Sequence, residues 1–253
     1  MSKFDLDFAR GMLTGQVSVK NQQALNVLLE NPLLNGWFVT LNTDVLRQLS
    51  LRENSEISNF ISSRALMTID GAPIRFILAN IFKGETVQVL TGNHLWMQLM
   101  QYCSTHGRSF VFAGGSASTQ QACIDKAKAQ FSNLVFVCAD IPVSASPSPL
   151  AVEKVLKTHA NAVVMVGIGA LKQERLIAQL MDKFPGVLFV GCGSAGNFYG
   201  EVTQRAPRFF QITGFEWLYR LVKEPRRLFR RYILEDAPFL LMLIARMVSG
   251  ERK

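Results

Sequence analysis

An α/β fold of the Rossmann-like kind, a parallel sheet flanked by helices, is what this sequence predicts. Three observations carry the prediction. Short apolar runs alternate with helical stretches from the middle of the chain onward, the runs are apolar throughout rather than at every second residue, and several end in glycines or small polar residues. Continuous apolar runs mark strands covered on both faces. Strand–helix–strand repetition argues for parallel pairing through crossovers.

Taken in order, GWFVTLN (36–42) and ALMTID (65–70) read as two strands. RSFVFAGG (108–115) is a buried strand ending in glycines, and SASTQQACIDKAKAQF opens with serine and threonine cap candidates before continuing as a helix. NLVFVCAD (133–140) is the next strand, LAVEKVLKTHA a helix, AVVMVGIG (162–169) a strand, LKQERLIAQLMDKF a helix, and VLFVGCG (187–193) closes the series. The first thirty residues read as a short strand and a helix, NQQALNVLLEN, packed at an edge. Residues 1–213 are expected to form the core, with 214–253 as a basic, amphipathic helical appendage. Because every core strand lies upstream, removal of residues 238–253 is expected to leave the core folded.

At 253 residues, with 49% hydrophobic and only 18% charged, the chain can bury a substantial core and is not of the disordered class. Its formal net charge of +8 points to an anionic partner: phosphate, nucleic acid or acidic lipid. Asp5, Asp7 and Arg10 interrupt the start, which has no signal-peptide core. The most apolar run, from Ala237 to Val248, is too short to span a bilayer and contains Arg246. Cys103, Cys123, Cys138 and Cys192 form no Cys-x-x-Cys pair, and His94, His106 and His159 lie far apart. That scatter fits reduced thiols and predicts no metal site.

Ligands of open parallel sheets bind outside the carboxyl ends of the strands. Thr40, Asn42, Asp70, Gly114, Gly115, Gly167, Gly169, Gly191 and Gly193 all fall at such ends. Asp70 there suits a general base, and equally suits a cap for the next helix. AGGSAST can cradle a phosphate at a helix start or simply make a tight turn. Lys172, Gln173 and Glu174 follow a glycine turn, where they either reach a ligand or cap the helix. His94 sits on the LWMQLMQYC helix as a ligand contact or a partly exposed histidine.

In order, TLNTD (40–44), IDG (69–71), TGNHLW (91–96), FAGG (112–115), GALKQE (169–174), GCG (191–193), RAP (205–207) and GFEWLYRLVKEPRRLFRRY (214–232) resemble the WecG/TagA/CpsF glycosyltransferases, glycosyltransferase family 26. The resemblance runs from about Trp37 to Tyr232, and its last block is the most specific. It implies an inverting, metal-independent enzyme with no cofactor. Such an enzyme moves a sugar, of the N-acetylmannosamine type or a related hexose or uronic acid, from a UDP donor to an undecaprenyl-diphosphate-linked acceptor. The place implied is the inner face of the bacterial cytoplasmic membrane, in cell-envelope or exopolysaccharide synthesis. By position, Asp70 is the base. Thr40, Asn42 and Gln173 come beside it by position, and Gly92, His94, Gly114, Gly115, Gly169, Lys172 and Arg205 are the further expected donor and acceptor contacts. The chain departs from the family's Arg-x-x-Gly-x-Asp, with Val89, Gly92 and His94, and has Gly196 and Asn197 for an aromatic–Asp pair and Leu171 for a proline.

Arg220, Arg226, Arg227, Arg230 and Arg231 lie among Trp217, Phe229 and Tyr232, just ahead of PFLLMLI. That grouping suits a helix in a membrane interface, with arginines on anionic headgroups or on the substrate's pyrophosphate. Nucleic acid would use the same charge, but no nucleic-acid motif accompanies it, so no nucleic-acid partner is expected. Assembly into a homo-oligomer stays open. The alternative function is a non-catalytic, membrane-docked homologue serving as a binding or scaffold protein.

Overall fold

The computed structural model describes residues 3–81, 87–142, 146–204 and 206–250. In chain order its elements are α1 (Leu6–Gly11), α2 (Gln22–Leu29), β1 (Gly36–Leu41), α3 (Thr43–Leu49), α4 (Ser55–Arg64), β2 (Leu66–Ile69), α5 (Ala72–Ile81) and α6 (Gly92–His106). There follow β3 (Phe110–Gly114), α7 (Ala117–Gln130), β4 (Phe136–Ala139), α8 (Leu150–Leu156), β5 (Val163–Gly167), α9 (Lys172–Leu180) and β6 (Leu188–Gly191). The chain then runs through α10 (Ala195–Tyr199), α11 (Arg208–Thr213), α12 (Glu216–Lys223), α13 (Pro225–Phe229), a π-helical turn (Arg230–Asp236) and α14 (Ala237–Gly250).

The six strands form one all-parallel sheet in the order β2-β1-β6-β5-β3-β4. The fold is therefore α/β and Rossmann-like, as the continuous apolar runs predict. The two faces carry separate buried clusters. Residues of α1, α3, α4, α8, α9 and α14 cover one face, and residues of α2, α6, α7 and α10 cover the other. Sandwiching between helices is why these strands need apolar residues at every position: Val163, Val164, Met165 and Val166 of β5 are all fully buried. On the second face, Trp96 of α6 meets Phe110 and Phe112 of β3 edge-on, with ring centroids 5.1 and 5.0 Å away.

The short strand expected near the N-terminus is not formed. Asp5 instead caps α1, its side chain accepting from the Phe8 N–H at 2.9 Å, so the FDLDF alternation coils into helix. Among the described residues, only isolated bridges, Phe4 to Leu51 and Val19 to Thr68, tie this region to its neighbours by strand-type pairing.

The packing of α14 weighs against the expectation that residues 238–253 can be removed with the core left folded. Phe239 and Leu243 of α14 are fully buried in the first cluster, and Phe239 packs on Phe4 with centroids 5.1 Å apart. A second tie is ionic. Arg47 of α3 reaches Asp44 at 2.7 Å, Glu235 at 2.9 Å and Asp236 at 2.8 Å, and Arg231 lies 3.3 Å from Asp44 and 3.5 Å from Asp236. Burial pushes the Asp236 carboxyl up, while its hydrogen bond from Arg47 opposes that shift. Breaking such a buried network by removing one partner costs about 3–5 kcal/mol. The C-terminal segment is thus packed against the sheet's helices rather than hung from them.

Candidate active site at the carboxyl edge of the sheet

Along the carboxyl ends of β1, β2, β5 and β6 runs a cleft of about 1300 Å³. Its core side is lined by Thr40, Asn42, Asp70, Gly92, His94, Gly167, Gly169, Gln173 and Gly193. The C-terminal segment forms the facing wall through residues that include Trp217, Arg220, Arg227, Arg231 and Tyr232. Of the expected contacts, Gly114, Gly115, Lys172, Arg226 and Arg230 are not on the lining. Arg205 lies outside the described residues.

Packing explains the first two. Gly114, with φ +131°, approaches β5 so closely that a Cβ would sit 2.6 Å from the Gly167 carbonyl oxygen. The Phe112 ring fills the space beneath Gly115. That same ring answers one departure from the family pattern, since a Cβ on Gly196 would stand 2.3 Å from it. A side chain at position 196 and Phe112 exclude each other.

Asp70 is half-buried just past β2, its N–H bonded to the Leu41 carbonyl at 2.9 Å. The first bond of α5 runs from the Arg75 N–H to the Gly71 carbonyl, at 3.3 Å. Gly71, not Asp70, therefore stands in the cap position. Asn42 caps α3, its carboxamide oxygen accepting from the Val45 N–H at 3.0 Å. What Asn42 can offer the cleft is its NH₂ group. Thr40 donates to the Gly191 carbonyl at 2.8 Å, so its hydroxyl braces β6 from β1. His94 follows the Thr91 cap of α6 and pairs through Nε2 with Gln22 of α2. The Cys192 thiol lines the cleft, but burial pushes it far up, which keeps it protonated and unreactive.

Cations on the lining fall into two groups. Arg231 is bound to Asp44 and Asp236, and Arg227 to Glu224 at 2.6 Å. Arg75, Arg208 and Arg220 have no carboxylate partner among the described residues. Arg220 rests over the Phe198 ring at 5.6 Å. Arg75 stands five residues after Asp70, and neither it nor Arg208 is marked by any sequence motif. Only the fold shows that they share a cleft with Asp70. Among the described residues no group of three or more His, Cys, Asp or Glu is placed to hold a metal.

A doubly covered parallel sheet with a polar, arginine-bearing cleft at its carboxyl edge defines an α/β protein whose candidate ligand site lies there. The family model described as Glycosyl transferase WecG/TagA/CpsF family matches residues 14–253, nearly the whole chain. The chain belongs to that family of glycosyltransferases.

Proposed function

We propose that the protein transfers a sugar from a UDP-sugar to a polyprenyl-diphosphate-linked acceptor at the inner face of the bacterial cytoplasmic membrane, in envelope or exopolysaccharide synthesis. The observation that carries this reading is the meeting, in one cleft, of the Asp70 carboxylate with Arg75, Arg208 and Arg220. The acceptor hydroxyl attacks the anomeric carbon of the donor sugar while the bond from that carbon to the UDP oxygen breaks. Asp70 takes the hydroxyl proton. Charge gathers on the departing diphosphate, where guanidinium groups stabilise it more than they stabilise the bound donor. Attack opposite the leaving group inverts the anomeric centre, and cations of the chain do the work that a divalent ion does in other transferases.

Membrane attachment is supported by apolar side chains left exposed on the C-terminal segment: Phe215, Leu218 and Val222, then Phe229, Ile233 and Leu234, then Leu241, Ile244 and Val248. No helix among the described residues is long and apolar enough to cross a membrane. Interfacial attachment needs only such a face and nearby cations.

The test is release of UDP from a panel of UDP-sugars, with and without a prenyl-diphosphate-linked sugar, in the presence of EDTA. Acceptor-dependent UDP release from one donor supports the reading. Tight UDP-sugar binding with no release under any pairing supports the non-catalytic binding protein. Activity that only added metal restores overturns the leaving-group chemistry.

A further inference from the structure

Beneath the cleft floor lies a carboxyl group that the transfer reaction does not use. Glu174 is fully buried, at 0% exposure, beside Gln173 at 2%. Its Oε1 accepts from Gln173 Nε2 at 2.8 Å, and Gln173 Oε1 accepts from the Gly193 N–H at 3.1 Å. Its other oxygen, Oε2, has no hydrogen-bond partner. A Cβ at Gly191 would stand 2.6 Å from Gln173 Nε2 and 3.0 Å from Glu174 Oε1, so only glycine lets the strand end meet this pair. From the opposite side, Thr40 holds the Gly191 carbonyl.

An amide has nearly the same shape when its oxygen and nitrogen are exchanged, so shape alone does not orient Gln173. Chemistry does. A carboxylate only accepts, and a backbone N–H only donates. With Glu174 ionised, the flipped amide would set oxygen against oxygen and N–H against N–H. A protonated carboxyl, or a glutamine, can donate as well as accept, so it no longer discriminates and the Gly193 N–H alone is left to orient the amide. Burying an anion without a cation is costly, and a neutral residue would fill the same space at lower cost.

We propose that Glu174 is a positioning residue for the cleft floor: together with the Gly193 N–H its carboxylate fixes the Gln173 amide, which fixes the Gly191–Gly193 turn, and loss of its charge removes one of the two groups that hold that orientation. Linking this floor to catalysis rests on the UDP-sugar reading above; the clasp itself does not. Burial pushes the Glu174 carboxyl up to about 7, against the Gln173 hydrogen bond and the nearby Leu171 and Glu174 backbone amides, with Asp44 adding to the rise. The titratable groups facing it are Asp44 from α3 and the Cys192 thiol beyond β6, and no cation is among its partners. The orienting charge is therefore present above about pH 7 and lost below it.

The experiment uses the full chain, wild type and Glu174→Gln, isotope-labelled and followed by NMR from pH 5.5 to 8.5, with UDP affinity measured across the same range. In the wild type, the Gln173 side-chain NH₂ and Gly193 N–H resonances should titrate together, with UDP binding severalfold tighter at high pH than in the variant. In Glu174→Gln both resonances should stay flat or split into two forms, with the melting temperature no lower. Comparing the two proteins cancels the titration of UDP itself. Wild-type resonances that do not titrate overturn the proposal, as does a variant that matches the wild type in spectrum and affinity throughout. A variant whose melting temperature collapses shows a merely structural carboxyl, which also overturns it. If the resonances behave as expected but UDP binds neither protein, the clasp stands and the UDP-sugar reading falls.

Discussion

The two edges of this sheet use arginine in opposite ways. At the amino edge Arg108, only 3% exposed, donates to the carbonyls of Leu34, Asn161, Ala162 and Gly186 and to the Tyr102 hydroxyl. Those carbonyls precede β1, β5 and β6, so one guanidinium closes the ends of three strands. Its donors meet backbone oxygens already in place, without a carboxylate among its hydrogen-bond partners. At the carboxyl edge, Arg75, Arg208 and Arg220 line a cleft and meet no carboxylate among the described residues. Arg75 and Arg208 are exposed and Arg220 half-buried. A guanidinium whose donors are satisfied within the protein supports the fold, whereas one left facing a cavity is available to a ligand.

That contrast breaks most sharply at Asp70, which belongs wholly to the carboxyl edge. Asp70→Asn should cut turnover about a thousandfold, within the range of general-base removal, while the thermal midpoint moves little. Near-normal transfer by the variant would remove Asp70 from the base role. The converse holds at Arg108. Arg108→Met should lower the unfolding free energy by about 3 kcal/mol or more, because it strands buried carbonyls without donors, as measured by urea titration. Any activity lost should track the unfolded fraction.

Next in size is the cleft triad. Replacing Arg75, Arg208 and Arg220 together by glutamine should weaken UDP binding on the order of a hundredfold, with charge-assisted bonds to phosphate lost, and flatten its salt dependence. Stability should hold or rise as positive charge is relieved. A triad variant that melts early but binds UDP normally would erase the distinction between the edges. Glu174→Gln sharpens it from below the floor. A carboxyl raised to about 7 favours the folded state while protonated, and this advantage fades as pH rises from its unfolded value through 7. The variant should therefore be more stable than the wild type above pH 7, on the order of 1–3 kcal/mol, and the gap should shrink toward pH 5. A constant gap across that range would mean that Glu174 does not titrate there.

How much of this was legible in the sequence follows from the range of the interactions. The strands were, because burial on both faces is written into consecutive residues such as Val163–Val166. Their ends are set too wide, as with 162–169 against Val163–Gly167, because the residues on either side, Ala162, Ile168 and Gly169, are apolar or small as well. Thr40, Asn42, Asp70 and Gln173 were found as strand-end and helix-start residues, and the fold brings them to one cleft. Arg75 and Arg208 were missed because an exposed arginine on a helix carries no local mark of what it faces. Arg47 and Asp236 meet across 189 positions, and nothing in either neighbourhood predicts the pair. In the sequence Glu174 is marked only as part of a polar helix start, since its burial depends on α9 packing beneath β6.

The arginines of the C-terminal segment test the same distinction on a membrane, with the smallest expected effect per residue. As a sequence, Arg226, Arg227, Arg230 and Arg231 look equivalent, and all four suit anionic headgroups. In the structure they differ. Arg227 pairs with Glu224, Arg230 with Glu235, and Arg231 with Asp44 and Asp236. Arg226 alone of the four has no ion pair among the described residues. A headgroup must compete with a carboxylate at three of these positions and with water alone at Arg226. Each arginine near an anionic surface contributes about 1 kcal/mol, so Arg226→Gln should weaken binding to phosphatidylserine vesicles about fivefold, and added salt should shrink the difference. Arg230→Gln and Arg227→Gln should cost less, because Glu235 and Glu224 already engage those two arginines. Arg231→Gln should leave vesicle binding nearly unchanged and lower the melting temperature instead, because it strips a cation from Asp44 and Asp236 inside the fold. Equal losses of vesicle binding in all four variants would mean that the ion pairs open at the membrane. No loss in any would leave the exposed apolar face as the sole means of attachment.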